Sequence, residues 1–313
     1  AEAERAAARG ERVLSLLEAL RGLLRGAGLR AVPLKGAALV LRGHLPAPLR
    51  PMADLDLLLD SDADVRRAAA AIGNALGYAP IWNTRRHLVL AERGEAVALW
   101  GCEHPRNPLR IELHRSFRLE VLGRSLDASD EIRRGTERAR GWEVPGPGAL
   151  VRHLLFHAAE DFAARGLRGV QAVDFRVLSE QLGPLTLPDD GGTARFAPVA
   201  LAARAVERLF PGTFAPGALE RAEAPIRGRV LRRAAGASVL RHSRPERGWT
   251  RTALSLADGP LPALRFLLRT LLPGLDEVKA NVAPEATGLR LAAAWVGVLM
   301  GRVRSAAGPL LRR

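Results

Sequence analysis

The chain contains one cysteine, Cys102, among its 313 residues. A single thiol cannot form an intramolecular disulfide, so nothing favours an oxidising compartment. No uncharged apolar run approaches the ~20 residues of a membrane helix, and the first residues lack the basic and apolar segments of a secretory signal. From these absences we expect a cytoplasmic, soluble protein without a membrane span.

Aromatic residues are also scarce, at 4%, and the basic residues include only two lysines, Lys35 and Lys279. A formal net charge of +14 suggests an anionic partner such as nucleic acid. The arginines, however, are scattered in pairs such as Arg66-Arg67, and few aromatic rings are available to stack on single-stranded bases. The composition leaves a nucleic-acid partner open but does not favour it.

The length and the hydrophobic content of 48% are enough for two domains. The sequence pattern changes at Pro145–Gly148, after which residues 149–164 and 170–182 have helical periodicity. We predict an α+β fold that consists of a mixed-sheet core over residues 1–144, with an N-terminal helix, and an all-helical domain over residues 145–313.

Within the predicted core, hydrophobic spacing predicts a helix over residues 2–27 and, after a Lys35-Gly36 turn, a second over residues 37–43. Residues 44–51 contain three prolines and are predicted to form a loop. A third helix is predicted over residues 64–76. The predicted strands cover residues 29–34, 54–60, 87–91, 96–100 and 109–114.

Two carboxylates stand at alternate positions of the second predicted strand, Asp54 and Asp56. Side chains two residues apart on a strand project from the same face, about 6–7 Å apart. Like charges this close repel each other unless a cation lies between them, which favours an oxygen-rich divalent metal site. Glu112 is a candidate third carboxylate, because Ile111 and Leu113 beside it are expected to face the core.

The predicted Lys35-Gly36 turn has the complementary chemistry. A glycine permits close approach of the backbone to a phosphate, and N–H groups at the start of the next helix favour an anion. Lys35 and Arg50 can add positive charge to this turn.

The segment VPLKGAALVLRGHLPAPLRPMADLDLLLD (residues 32–60), followed by LGYAP and IELH, resembles a bacterial family of uncharacterised nucleotidyltransferases in the polymerase-β-like superfamily. The resemblance continues weakly into HLLFHAAEDF and VQAVDFRVL. It implies that Gly36 binds a nucleoside triphosphate and that Asp54 and Asp56 bind two magnesium ions. It further implies that Glu112 binds one ion or activates the nucleophile.

One residue departs from the superfamily pattern, which usually has serine where this chain has Ala37. The resemblance therefore implies a missing hydroxyl contact to phosphate, which Lys35 or Arg50 would replace. The predicted nucleotide-binding set is Lys35, Gly36, Ala37 and Arg50. We expect loss of Lys35 to weaken nucleotide binding more than loss of Lys279.

The resulting hypothesis is a magnesium-dependent enzyme that transfers a nucleoside monophosphate from a triphosphate to an acceptor hydroxyl and releases pyrophosphate. The acceptor would be a small molecule, a peptide natural product or a protein. One alternative is a non-catalytic protein of the same fold that binds RNA or a protein partner. Another is an enzyme of this fold that modifies RNA ends or a peptide natural product.

Several of these residues also have structural interpretations. Asp54 and Asp56 can be exposed residues at a strand start, and Glu112 can pair with Arg110 or Arg115.

His153 and His157 have the spacing of a zinc pair, but no third ligand is evident. Packing or lining of the nucleotide cleft is favoured over a zinc site. Asp174 and Arg176 stand where the resembled family tends to keep a polar helix face, but an ordinary solvated face explains them equally well. The acidic run at residues 60–64 is interpreted as helix capping, because the glycine and glutamate of a calcium loop are missing.

Overall fold

A computed structural model describes residues 2–93, 107–121, 124–187, 197–224, 272, 278 and 287–307. The chain divides into two compact units, one formed by Ala1–Phe117 with Ala128–Leu150 and the other by Arg118–Asp127 with Val151–Arg313. The domain boundary between residues 144 and 145 stays a prediction. None of the described helices combines the length and the apolar character that a membrane crossing requires.

The described elements combine helices with short strands. In chain order they are α1 (Glu2–Gly26), β1 (Ala31–Pro33), α2 (Lys35–Leu41), a 3-10 turn (Ala47–Leu49), β2 (Asp54–Leu59), α3 (Asp62–Leu76), β3 (Tyr78–Asn83), β4 (His87–Glu92), β5 (Arg110–His114), β6 (Arg118–Val121), β7 (Arg124–Asp127), α4 (Ser129–Arg134), β8 (Thr136–Ala139), β9 (Trp142–Pro145), α5 (Pro147–Arg165), α6 (Gly169–Leu182), α7 (Ala197–Leu209), α8 (Ala218–Glu223) and α9 (Gly288–Ala307).

The first unit is built on a five-stranded sheet in the order β1-β2-β5-β4-β3. Strand β2 runs parallel to β5, whereas the other neighbouring pairs are antiparallel. The two hairpins β6–β7 and β8–β9 form separate two-stranded sheets. The prediction of a mixed sheet with helices in an α+β fold is therefore confirmed.

One face of this sheet carries the apolar core. Leu55 and Leu57 of β2 are fully buried, and so are Ile111 and Leu113 of β5, as their alternation predicts. Helix α1 contributes side chains spaced three or four residues apart, so that they share one face against the same cluster: Val13, Leu17, Leu20 and Leu24. The opposite face of β2 and β5 is left for polar chemistry.

Helix α3 shows how local sequence sets an element. Ser61 caps its N-terminus by accepting a hydrogen bond from the Asp64 N–H at 3.1 Å, and Gly77 ends it in the left-handed conformation. The acidic run belongs to the start of the helix, because Asp62 and Asp64 lie in its first turn, but the capping side chain is Ser61. The predicted start at residue 64 is wrong by one half-turn, because the cap is Ser61 and the helix begins at Asp62.

The largest local difference concerns the predicted turn before the second helix. Lys35 and Gly36 already belong to α2, and the residue with a left-handed backbone is Lys35, with φ of 50°. The chain turns within one residue, because the Leu34 N–H still bonds to the Asp56 carbonyl at 2.9 Å as a continuation of the sheet. A glycine turn at Gly36 is therefore wrong.

Strand β3 has no counterpart among the predicted strands, since Pro80 interrupts it and its Ile81 and Trp82 side chains are both exposed instead of alternating. The predicted strand at residues 96–100 and Lys279 lie outside the described residues.

The helices predicted over residues 149–164 and 170–182 are observed as α5, which lies in the second unit from Val151 onward, and α6. The described residues beyond α6 include helices α7, α8 and α9 and a parallel bridge between Leu185 and Phe214.

Candidate functional site

The polar face of the sheet is organised by the parallel pairing of β2 with β5. In this register Asp54 lies opposite Arg110 and Asp56 opposite Glu112. Paired residues of neighbouring strands project from the same side of a sheet, so the three predicted carboxylates share one face. The register between β5 and β4 then places His87 opposite His114.

Three side chains on this face come together closely enough to hold a metal ion. The potential ligand atoms of Asp56, Glu112 and His114 all lie within 4.8 Å of one another. His114 Nε2 is 2.8 Å from Asp56 Oδ1 and 3.5 Å from Glu112 Oε2. Asp54 lies two residues from Asp56 on the same strand face but is not a member of this compact group.

The Lys35 side chain enters the same group from the start of α2. Its Nζ lies 2.5 Å from Asp56 Oδ1 and 4.0 Å from Glu112 Oε2. The side chain is only 16% exposed. Asp56 therefore accepts from both Lys35 and His114 while its own side chain is nearly inaccessible to water.

The charges of this group compensate one another. Burial alone would lower the pKa of Lys35, but the negative charges of Asp56, Glu112 and Asp54 outweigh it and raise that pKa. Burial alone would raise the pKa of Asp56, yet the Lys35 charge and the His114 hydrogen bond hold it well below its usual range. Both shifts favour the charged forms, a carboxylate at Asp56 and an ammonium at Lys35.

The two histidines of the site have opposite tendencies. Burial works against a charged His114, but hydrogen bonds to Asp56 and Glu112 raise its pKa. Burial and the neighbouring His114 lower the pKa of His87 to about 4, so His87 is neutral near pH 7. Their rings stack at a tilt, with centroids 5.2 Å apart. His87 is therefore an uncharged ring that packs against His114.

Gly36 is required for space. A Cβ at this position would lie 2.8 Å from Met52 Sδ and 3.2 Å from the guanidinium carbon of Arg50. Arg50 is buried and donates to the Pro51 carbonyl at 2.8 Å. The absence of a side chain at Gly36 thus lets Arg50 pack beside the first turn of α2, next to Lys35.

Ala37 lies in a different environment from Lys35 and Gly36, the two residues before it. It is 1% exposed and belongs to the apolar core cluster. A side chain at this position points toward hydrophobic neighbours, so only its backbone N–H is suited to binding a phosphate. The predicted role of Ala37 in nucleotide binding stays a prediction with that restriction.

The alternative role of Glu112 is an ion pair with Arg110 or Arg115. Arg115 binds Asp62 instead, with its Nε 2.5 Å from Asp62 Oδ1, and donates to the Thr84 carbonyl. Within the described part of the chain, Glu112 lies 4.0 Å from Lys35 Nζ and 3.5 Å from His114 Nε2. Glu112 therefore belongs to the group around Asp56.

Helix α1 anchors the beginnings of both site strands through a buried arginine. Arg9 donates to the carbonyl of Met52, two residues before β2, and to the carbonyl of Asn107, three residues before β5. Arg12 also donates to the Asn107 carbonyl. These arginines serve the fold, which agrees with the interpretation of the basic charge as scattered.

The histidine pair of α5 lies in the second unit. His157 Nε2 is 2.7 Å from an Arg168 nitrogen, and Asp161 binds both Arg168 and Gln171. Among the described residues, neither histidine belongs to a group of three potential metal ligands. The contacts of His157 agree with packing, and lining of a nucleotide cleft by this pair stays a prediction.

The two polar residues of α6 differ from each other. Asp174 is completely buried, so a solvated face is wrong for this residue. Arg176 pairs with Glu180 one turn away at 2.7 Å, as on an ordinary solvated face.

His114 and His87 are two residues of the site that have no predicted role. His114 carried a usable signal, since it lies two residues from Glu112 and therefore on the same strand face. His87 carried none, because its position depends on the register between β4 and β5.

Residues 1–189 match the family described as uncharacterised nucleotidyltransferase. The match covers more than half of the chain and includes the whole five-stranded sheet, Lys35, Asp56 and Glu112. No curated protein and no solved structure matches the chain. The family suggested by the sequence motifs is confirmed, and the chain belongs to the uncharacterised nucleotidyltransferase family.

Proposed function

We propose that this protein is a divalent-metal-dependent enzyme with a polymerase-β-like core that transfers a nucleoside monophosphate from a triphosphate to an acceptor hydroxyl. The observation that carries the proposal is the pairing of Asp56 with Glu112 on adjacent parallel strands, with Asp54 on the same face. The family membership supports nucleotidyl transfer as the general reaction.

The donor set fits magnesium. Asp54, Asp56 and Glu112 offer carboxylate oxygens, which hard cations such as Mg²⁺ prefer. His114 already bonds to Asp56, so we assign it to orienting that carboxylate. A bound Mg²⁺ would supply charge neutralisation at the reacting phosphate.

The chain's own residues have separate tasks in the proposed reaction. Lys35, Arg50 and the backbone N–H groups around Gly36 bind the triphosphate. Glu112 takes the proton of the acceptor hydroxyl. The acceptor oxygen forms a bond to the α-phosphorus, the bond from that phosphorus to the bridging β-phosphate oxygen breaks, and pyrophosphate leaves.

The proposal is tested by calorimetry of ATP, GTP, CTP and UTP with Mg²⁺ on the wild-type protein and on Asp54→Ala/Asp56→Ala. We expect the wild-type protein to bind one of the four nucleotides. The double variant should not bind it. A matched control is Asp130→Ala/Glu220→Ala, which removes two exposed carboxylates and should retain binding.

Thermal melting of each variant separates loss of binding from loss of folding. If no nucleotide binds the folded wild-type protein, the proposed nucleotidyl transfer is ruled out. The non-catalytic alternative, in which the same fold holds RNA or a protein partner, would then be favoured, and a steep salt dependence of RNA affinity would identify it.

A further inference from the structure

The position of the Lys35 ammonium has a consequence for metal binding. It contacts Asp56 Oδ1 at 2.5 Å and lies 4.0 Å from Glu112 Oε2. These two carboxylates are the ones that belong to the compact group of potential metal ligands. The Lys35 ammonium thus lies at the carboxylate oxygens that would bind a divalent ion.

The backbone at Lys35 is unusual for a residue with a side chain. Among the described residues, Lys35 and Arg140 are the two non-glycine residues with positive φ, at 50° and 49°. Arg140 stands with Gly141 in the two-residue turn of the β8–β9 hairpin, where this conformation is ordinary. Lys35 stands at a junction between a strand and a helix, where no such turn requires it.

The strained conformation directs Lys35 into the site while both of its neighbours are fixed. Leu34 is bonded through its N–H to the Asp56 carbonyl, and Gly36 is enclosed by Met52 and Arg50. The same Asp56 residue therefore holds the backbone before Lys35 and the end of the Lys35 side chain. This arrangement directs the ammonium toward Asp56 and Glu112.

Two cations compete for one set of carboxylates. A divalent ion and an ammonium in the same poorly solvated group repel each other, so entry of the ion requires Lys35 to move away. A buried ammonium then needs another anion, and the triphosphate is the anion that the proposed reaction supplies. The lysine therefore connects metal binding with nucleotide binding.

We propose that Lys35 is a built-in counter-ion of Asp56 that exchanges this carboxylate for the triphosphate when metal and nucleotide enter together. This inference rests on the proposed function, because the exchange needs both ligands. Metal alone binds weakly, since it must displace the lysine without offering it a partner. By reciprocity, metal and nucleotide each strengthen the binding of the other.

The test is Mn²⁺ binding measured by electron paramagnetic resonance, with and without an equimolar mixture of ATP, GTP, CTP and UTP. Lys35→Met and Lys35→Gly should bind Mn²⁺ alone about tenfold more tightly than the wild type. Nucleotide should raise Mn²⁺ affinity of the wild type about tenfold and that of both variants much less. Lys35→Gly also suits the left-handed backbone, so one variant retains folding if the other does not.

Two controls define the cause. Lys279→Met removes the other lysine of the chain and should behave as the wild type. Lys35→Arg retains a positive charge and should keep the low affinity for Mn²⁺ alone.

The outcomes separate this inference from the proposed function. If the wild type binds Mn²⁺ with nucleotide but Lys35→Met and Lys35→Gly bind Mn²⁺ alone no more tightly than it does, only the counter-ion role is overturned. If neither the wild type nor the variants bind Mn²⁺ under any condition, the metal site of the proposed function falls and this inference falls with it.

Discussion

Two adjacent residues of strand β2, on opposite faces, are almost equally buried and chemically opposite. Leu57 is 0% exposed and packs in the apolar core, and its neighbour Asp56 is 2% exposed on the other face. Close packing with apolar neighbours is enough to stabilise the buried leucine. The buried carboxylate also needs compensating charge and hydrogen bonds from Lys35 and His114. The degree of burial therefore does not distinguish a core residue from a site residue. The chemical nature of the groups that each side chain contacts does distinguish them.

The largest effect is expected on the charged face. Asp56→Asn leaves Lys35 and His114 without their shared carboxylate, and breaking a buried ion pair costs about 3–5 kcal/mol of unfolding free energy. Urea denaturation of the metal-free protein measures it. The combined Lys35→Met/Asp56→Asn variant should recover part of the loss, because it removes the orphaned ammonium. A loss below about 1 kcal/mol for Asp56→Asn would contradict the strength of this pairing.

On the apolar face, Leu57→Ala should destabilise the protein by about 3 kcal/mol through lost burial and a residual cavity. The same urea experiment applies. Because Leu57 points away from the carboxylates, Mn²⁺ affinity of the folded variant should stay within about twofold of the wild type. A large change in metal affinity would show that the two faces are not independent.

A smaller effect is expected at Gly36. A Cβ there would press on Met52 and Arg50, and overpacking of this kind costs about 1–3 kcal/mol, with Met52 able to relieve part of it. Gly22→Ala is the matched control, since nothing lies within 4 Å of its added Cβ. We expect Gly36→Ala to lower the melting temperature and Gly22→Ala to leave or raise it. Equal melting temperatures would argue against close packing at Gly36.

The smallest effect concerns α3, whose Val65, Ala68 and Ile72 pack in the apolar core cluster. Ser61→Ala removes the cap of this helix and should cost about 1 kcal/mol. Ser15→Ala, at an exposed position within α1, provides the comparison and should cost less. Calorimetric melting resolves the two, and a larger loss for Ser15→Ala would contradict the capping role.

Much of the site could be predicted because its signals are local. The alternation of Asp54, Leu55, Asp56 and Leu57 assigned each side chain to a face, and the strand was located to within one residue. The role of Lys35 could not be anticipated in full. Its positive charge suggested phosphate binding, but its ion pair with Asp56 depends on a left-handed backbone at a position that the sequence pattern assigns to a turn before the helix.

The sequence by itself determined the family, the alternation of the site strands and the helix caps, because each depends on residue types at short, regular spacing. Only the tertiary structure decided that β2 lies beside β5 and β5 beside β4. Those pairings join segments far apart in the chain, and their register brings Asp56, Glu112, His114 and His87 together. Register is set by packing over the whole sheet, so no local pattern contains it.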